Sequence, residues 1–315
     1  MKTGWLVVDG NNLGWRAFAR TPLEWNGRRT EVSYIGLRQM ITLLRKFNPE
    51  DVVVVWDGGR DKKRLDVFPE YKQDRRSLTP EEEAEKEEFY KQIRVFRRLL
   101  KKLGIKQLRC SGREADDVIY SLVLHVRILR GRTDVVIVST DKDFYQMLDM
   151  KAVHLYSPTK KKFITCEEAE EEIGVELKYY AMWKVLVGGH DNLPGLKGVG
   201  PKKAALLIRS QVLGENVSGL SDSLIEDFQS KWSRLIILET EVARFQLVSY
   251  SEIQKGLDVP PVPTFSEWMQ GVRQEFERLG FVSLLDNFAD SLVPFIELHR
   301  RQGAFAKNGE RKNSV

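Results

Sequence analysis

Three acidic residues close three apolar runs. Asp9 follows Trp5-Leu6-Val7-Val8, Asp57 follows Val52-Val53-Val54-Val55-Trp56, and Asp141, with Asp143 two residues on, follows Val135-Val136-Ile137-Val138. A denser group, Glu114-Ala115-Asp116-Asp117, opens a stretch whose apolar residues recur at helical spacing. Carboxylates gathered in one cleft destabilise one another unless counter-ions lie among them. Oxygen-only donors in this number suit Mg²⁺ or Mn²⁺. Two such ions about 3.5–4 Å apart serve phosphodiester hydrolysis, one activating water and the other stabilising the leaving oxygen. A plainer reading of part of the group exists. Ser111-Gly112-Arg113-Glu114 fits a capping box, and acids in a first turn favour the helix dipole. That accounts for Glu114 and one aspartate, but not for three acids aimed at the same place as Asp9, Asp57, Asp141 and Asp143.

The elements that must position these groups are legible as well. Continuous β-branched runs without alternation predict strands buried on both faces, as in a parallel sheet. Helical spacing separates them, in Leu37, Met40, Ile41 and Leu44 and again in Ala115, Val118, Ile119, Leu122 and Val123. The alternation predicts an α/β fold with a mainly parallel sheet flanked by helices. Ligands of such sheets bind beyond the carboxyl ends of the strands, where Asp9, Asp57 and Asp141 fall. The first turn, Asp9-Gly10-Asn11-Asn12-Leu13-Gly14, is not the GxGxxG of a dinucleotide fold, and a carboxylate cluster repels a pyrophosphate. Asn11 and Asn12 read as turn formers.

Residues 60–98 are dense in charge and basic at first. Thr79-Pro80-Glu81-Glu82 then reads as a helix start, and Phe89, Ile93, Phe96 and Leu100 form an amphipathic stripe. This segment is expected to be a mobile element over the active edge. Helical patterns dominate after Lys160-Lys161-Lys162. Pro260-Pro261-Val262-Pro263 marks a linker, Trp268, Val272, Phe276 and Leu279 outline a last amphipathic helix, and the polar, basic end is expected to be disordered. A second chemical signal is Gly195-Leu196-Lys197-Gly198-Val199-Gly200-Pro201-Lys202-Lys203-Ala204. A glycine-rich turn opening a helix offers N–H groups to phosphate, and its lysines add charge without reading sequence.

The 315 residues carry a net charge of +5, with a pI near 9.0, which suits nucleic acid without requiring it. Two distant cysteines and four scattered histidines argue against zinc or a disulfide framework. No signal peptide or membrane span is read, and a cytoplasmic protein is expected.

Taken in order, these segments resemble the flap endonuclease/5′–3′ exonuclease family, which includes phage 5′ nucleases and the N-terminal nuclease domain of bacterial DNA polymerase I. The likeness covers roughly residues 5–290. It rests on Val8-Asp9-Gly10-Asn11-Asn12-Leu13-Gly14-Trp15-Arg16, Trp56-Asp57, Tyr71-Lys72 with Arg75, Gly112 to Asp117, Ser139 to Asp143, Asp191-Asn192-Leu193-Pro194-Gly195 and Phe276 to Leu285. The resemblance implies a PIN-like catalytic domain over 1–180 with a helical arch at about 60–98. It further implies a helix–hairpin–helix (H3TH) DNA-binding region over 181–295, leaving 296–315 as a basic tail.

The resemblance also implies roles. Asp9, Asp57, Glu114 and Asp116 would line the tighter metal site, and Asp117, Asp141, Asp143 and Asp191 a second. Lys72 would stabilise charge on the scissile phosphate, Arg75 and Arg16 would steer phosphate, and Tyr71 would stack on a base. Gly195, Lys197, Gly198, Gly200, Lys202 and Lys203 would hold duplex phosphates, with a K⁺ at the hairpin. The implied protein is a monomeric 5′–3′ exonuclease and flap endonuclease using two Mg²⁺ or Mn²⁺. Its partners would be DNA with 5′ ends, flaps or junctions, RNA primer in hybrid, and a separate DNA polymerase in replication or repair. One departure stands out. The family's GDxxDN is here Val187-Gly188-Gly189-His190-Asp191-Asn192, with Gly188 in place of an acidic ligand. It leaves open a non-catalytic junction-binding protein on the same scaffold. A PIN-type ribonuclease is the third reading, opposed by the hairpin and Lys72.

Overall fold

A computed structural model describes residues 3–73, 79–131, 133–261 and 263–303. The strands of the main sheet are β1 (Trp5–Asp9), β2 (Asp51–Val55), β3 (Lys106–Leu108), β4 (Val135–Val138), β5 (Val153–Ser157), β6 (Lys162–Ile164) and β7 (Leu257–Asp258). They form one sheet in the order β6-β5-β4-β1-β2-β3-β7. Every neighbouring pair is parallel except the two at the edges, β5 with β6 and β3 with β7. This is the α/β, mainly parallel architecture that the sequence predicts.

Alternation along the strands divides the core. Leu6, Val8, Val52, Val54, Val136 and Val138 face one side, and Val7, Val53, Val55, Val135 and Ile137 the other. On the first side lie α1 (Gly10–Phe18), α2 (Glu31–Phe47) and α4 (Pro80–Lys102), the short α3 (Lys62–Val67) preceding α4 in the chain. On the second lie α5 (Ala115–Arg130), α6 (Tyr180–Val187) and α7 (Pro201–Leu207). The chain then returns to the first side with α8 (Phe265–Leu279) and α9 (Phe288–Arg301). Residues on both sides of position 180 therefore share the two faces of a single sheet. Among the described residues no helix is long and apolar enough to cross a membrane.

The capping box at Thr79 and Glu82, with Pro80 in the first turn, starts α4 as expected. Only the first turns of α4 are free of the core. From Phe89 its stripe is buried on α2, so within the expected arch of 60–98 the second half of α4 packs on the core. The capping box expected at Ser111–Glu114 does not form. Glu114 is the N-cap residue of α5 but makes no side-chain cap bond, because its carboxylate is drawn to Tyr71 and Lys72. Nor is α8 the last helix. In α9, Phe295 and Leu298 are buried and the His299 ring meets the Leu103 carbonyl at 2.8 Å. The expected tail thus begins inside a helix, and its remainder, 304–315, lies outside the described residues.

Candidate active site and nucleic-acid interface

The adjacent parallel strands β4, β1 and β2 release their acids at one edge. Asp9 ends β1 and caps α1: its Oδ1 accepts the Asn12 N–H at 3.0 Å and its Oδ2 accepts the Ser139 hydroxyl at 3.0 Å. Asp57 accepts the Ala115 N–H at 2.9 Å, which fastens the end of β2 to the start of α5. Asp141 accepts the Asp143 N–H at 2.9 Å, and Asp116 the Asp117 N–H at 2.8 Å. Asn11 and Asn12, expected as turn formers, lie in the first turn of α1 and bind the neighbouring strand ends. Asn11 accepts the Asp57 N–H at 3.1 Å, and Asn12 exchanges two bonds with Thr140, at 2.7 and 3.2 Å. Three strand ends are thereby tied together.

Asp9, Asp57, Glu114, Asp116, Asp141, Arg60, Lys72 and Trp15 line a cleft of about 750 Å³, to which α4 contributes Glu82, Glu85, Lys86 and Tyr90. Burial raises the Asp9 carboxyl to about 7, and the charges of Asp57 and Asp141 add to this against the bonds from Asn12 and Ser139. Burial and the neighbouring Asp143 raise Asp141 to about 6. Among the described residues, Asp9, Asp116 and Asp141 have no ion-pair partner.

The remaining acids are held by cations of the chain itself. Glu114 Oε2 accepts from Tyr71 Oη at 2.8 Å, Lys72 Nζ at 2.7 Å and Arg64 at 3.1 Å. Burial pushes Glu114 upward, and Lys72 offsets this. Burial also works against charge on Lys72, but Glu114, Asp116 and Asp191 hold its ammonium protonated well above the usual lysine range. Lys72 has φ 53°, a left-handed conformation uncommon for a side chain of this size, fixed by bonds from its N–H to the Asp191 carbonyl and from Arg60 to its own carbonyl. Arg64, buried, forks onto Asp117 with two bonds of 2.8 Å, and Asp117 also accepts the Gln246 N–H at 2.8 Å. Lys184 bonds Asp143 at 2.6 Å and Asp191 at 2.9 Å.

Several of the residues singled out in the sequence have other partners in the structure. Asp117 is closed off by Arg64 rather than open to an ion. Tyr71 is 3% exposed with its hydroxyl committed to Glu114, so its ring is not available to stack on a base. Arg16 bonds Gln39 and Thr159 and does not line the cleft. Arg75 lies outside the described residues. Arg64 and Lys184 are the functional side chains that sequence reasoning missed. Each reads as an ordinary basic residue of a helix, and no local pattern marks it.

Among the described residues no three acidic, histidine or cysteine side chains gather tightly enough to hold an ion unaided. Asp9, Asp57, Asp116 and Asp141 nevertheless fit a hydrated divalent cation. Their donors are all oxygen, burial and the charges of Asp57 and Asp141 raise the Asp9 carboxyl to about 7, and the cleft has room for the several waters that Mg²⁺ retains.

Beyond α6 the chain folds into the glycine-rich hairpin. The Gly189 N–H meets the Leu193 carbonyl and the Leu196 N–H the Leu186 carbonyl, both at 2.9 Å. Leu196 and Val199 anchor the turn in the core, while Lys197, Gly198, Gly200, Lys202 and Lys203 remain exposed. Gly195 and Gly198 take φ of 64° and 75°, which suits glycine.

The 5′–3′ exonuclease N-terminal, resolvase-like domain family matches residues 4–174. A 5′–3′ exonuclease of Aquifex aeolicus (strain VF5) is 29% identical over 282 residues, covering 89% of this chain and 93% of its own. Flap endonuclease Xni of Shewanella woodyi is 30% identical over 258 residues, covering 81% of this chain and 94% of its own. Among solved structures, T5 5′-exonuclease with bound zinc ions superposes with a TM-score of 0.61 at 20% identity, covering 93% of this chain and 99% of that one. At that identity the superposition speaks for the shared fold.

Proposed function

The chain belongs to the 5′–3′ exonuclease family, and from that premise we propose that it is a metal-dependent, structure-specific 5′ nuclease. It hydrolyses DNA phosphodiesters at 5′ ends and flap junctions, in replication or repair. The observation that carries this reading is the cluster of Asp9, Asp57, Asp116 and Asp141 around one cleft at the carboxyl edge of the sheet, with the Asp9 carboxyl raised to about 7. A divalent cation bound there supplies Lewis-acid polarisation of the phosphoryl oxygen and a more acidic water.

The chain's own groups do the rest. Ser139 and the Asn12 N–H orient the two oxygens of Asp9. Lys72 is held charged beside the cleft and offsets negative charge that develops on the scissile phosphate. The exposed Lys197, Lys202 and Lys203 grip duplex phosphates without reading sequence. The first turns of α4 line the same cleft as the carboxylates, with Lys86 and Tyr90 beside a 5′ strand that enters it. Two ions are part of the family resemblance, but three of the four acids assigned to the second are engaged by internal cations. A junction-binding protein without catalysis draws support only from Gly188, and the open carboxylates of the first site oppose it.

The test is cleavage of an end-labelled 5′-flap duplex with Mg²⁺ titrated, for the native chain and Asp116→Asn. Cutting near the flap junction, lost in the variant, is the expected result. A native chain that binds the flap yet leaves it intact, with Mn²⁺ as with Mg²⁺, overturns the reading.

A further inference from the structure

Of the acids that the resemblance assigns to a second ion, Asp117, Asp141, Asp143 and Asp191, only Asp141 is left open. Asp117 is locked to Arg64. Lys184 reaches from α6 with its side chain 9% exposed, and its ammonium lies between two carboxylates, 2.6 Å from Asp143 Oδ2 and 2.9 Å from Asp191 Oδ2. Tyr180, one helical turn earlier, donates to the other oxygen of Asp143 at 3.1 Å. Lys72 Nζ stands 3.7 Å from Asp191 Oδ1 while bonding Glu114. The charges therefore alternate along a continuous chain, from Arg64 through Glu114, Lys72, Asp191 and Lys184 to Asp143.

Position 188 closes the remaining route to a ligand. A Cβ on Gly188 would come 2.6 Å from Gly195 N and 2.8 Å from the Leu193 carbonyl oxygen, at a φ of +70°. Because α6 turns into the hairpin through this glycine, an acid has no room there.

We propose that Lys184 is a built-in replacement for the second ion, its ammonium neutralising Asp143 and Asp191 so that the protein holds a single tightly bound divalent cation at Asp9, Asp57 and Asp116. The inference rests on the metal-dependent reading above and narrows it. A covalently attached charge cannot dissociate, and it holds Asp191, whose carbonyl accepts the Lys72 N–H at 3.1 Å.

The test counts ions rather than turnover. The full chain, without DNA, is titrated with Mn²⁺, and free ion is read by electron paramagnetic resonance while circular dichroism reports folding. The native chain is expected to bind one ion tightly. Lys184→Met, with similar length and no charge, frees two carboxylates and is expected to gain a second ion. Should that variant fail to fold, Asp143→Asn combined with Asp191→Asn carries the test, because neither residue ligates an ion and the native count is expected to stay at one. Two ions on the native chain, an unchanged count in folded Lys184→Met, or an ion lost from the double variant each overturns the proposal. Two ions on the native chain would leave the metal-dependent nuclease standing. A native chain that binds no Mn²⁺ would sink both readings.

Discussion

Replacing Asp9 with asparagine is expected to destroy the nuclease and stabilise the metal-free fold. The Asp9 carboxyl sits at about 7 in place of 3.8, and each tenfold change in proton affinity corresponds to about 1.36 kcal/mol, which puts the ionisation penalty at ~4 kcal/mol at most. Water in the open cleft screens part of this, leaving about 1–3 kcal/mol. The sign follows from proton counts. Between about pH 4 and 7 the folded chain holds a proton on Asp9 that the unfolded chain has released, so stability falls as pH rises through that window. Below it both states are protonated and the penalty vanishes. Asparagine mimics the protonated acid, since its Oδ1 can accept the Asn12 N–H and its amide can donate to the Ser139 hydroxyl. Urea unfolding in EDTA at pH 8 should show Asp9→Asn more stable than the native chain by about 1–3 kcal/mol, and at pH 4 no different. Adding Mg²⁺ should stabilise the native chain alone. A variant no more stable at pH 8, or equally favoured at pH 4, would refute the argument that unneutralised carboxylates crowd this edge.

Other substitutions probe the remaining parts. Arg64→Met strands buried Asp117 without its partner and should cost about 3–5 kcal/mol in urea unfolding; a loss below ~1 kcal/mol would mean that the pair is not closed to water. Gly188→Asp, introduced as if to restore an acidic ligand, should destabilise the fold by about 1–3 kcal/mol and add no bound Mn²⁺, because backbone fills the space; a stable variant with an added ion would contradict this. Replacing Lys197, Lys202 and Lys203 with alanine should lower the slope of log affinity for a flap duplex against log salt by about 0.9 for each phosphate that a lysine no longer neutralises. An unchanged slope would remove the hairpin from the interface.

The fold and the open half of the site were legible because local rules govern both. Val7 and Val8 fall on opposite faces of a sheet buried on both sides, so the run needs no alternation in the sequence, and the acid ending it must stand at the sheet edge. The same holds for Val55 before Trp56-Asp57 and Val138 before Asp141. What stayed hidden depends on partners distant in sequence. Asp117 meets Arg64 across 53 positions and Asp143 meets Lys184 across 41, and no spacing rule connects them. Helix α9 was hidden differently. Its stripe of Phe288, Leu292, Phe295 and Leu298 has helical spacing, but Pro294 lies inside the pattern and a basic stretch follows it.

The hidden pairs decide more than packing. A list of carboxylates treats Asp9 and Asp143 alike, yet Asp143 lies 2.6 Å from the Lys184 ammonium, whereas Asp9 has no ion-pair partner among the described residues. On the proposal above, ion binding follows the acids that no cation of the chain pairs with. Asp9, Asp116 and Asp141 have no ion-pair partner among the described residues, while Asp117, Asp143 and Asp191 are paired with Arg64 and Lys184. The number of acids in the motifs sets an upper limit on metal binding, and the proposal predicts that Arg64 and Lys184 bring this chain below it.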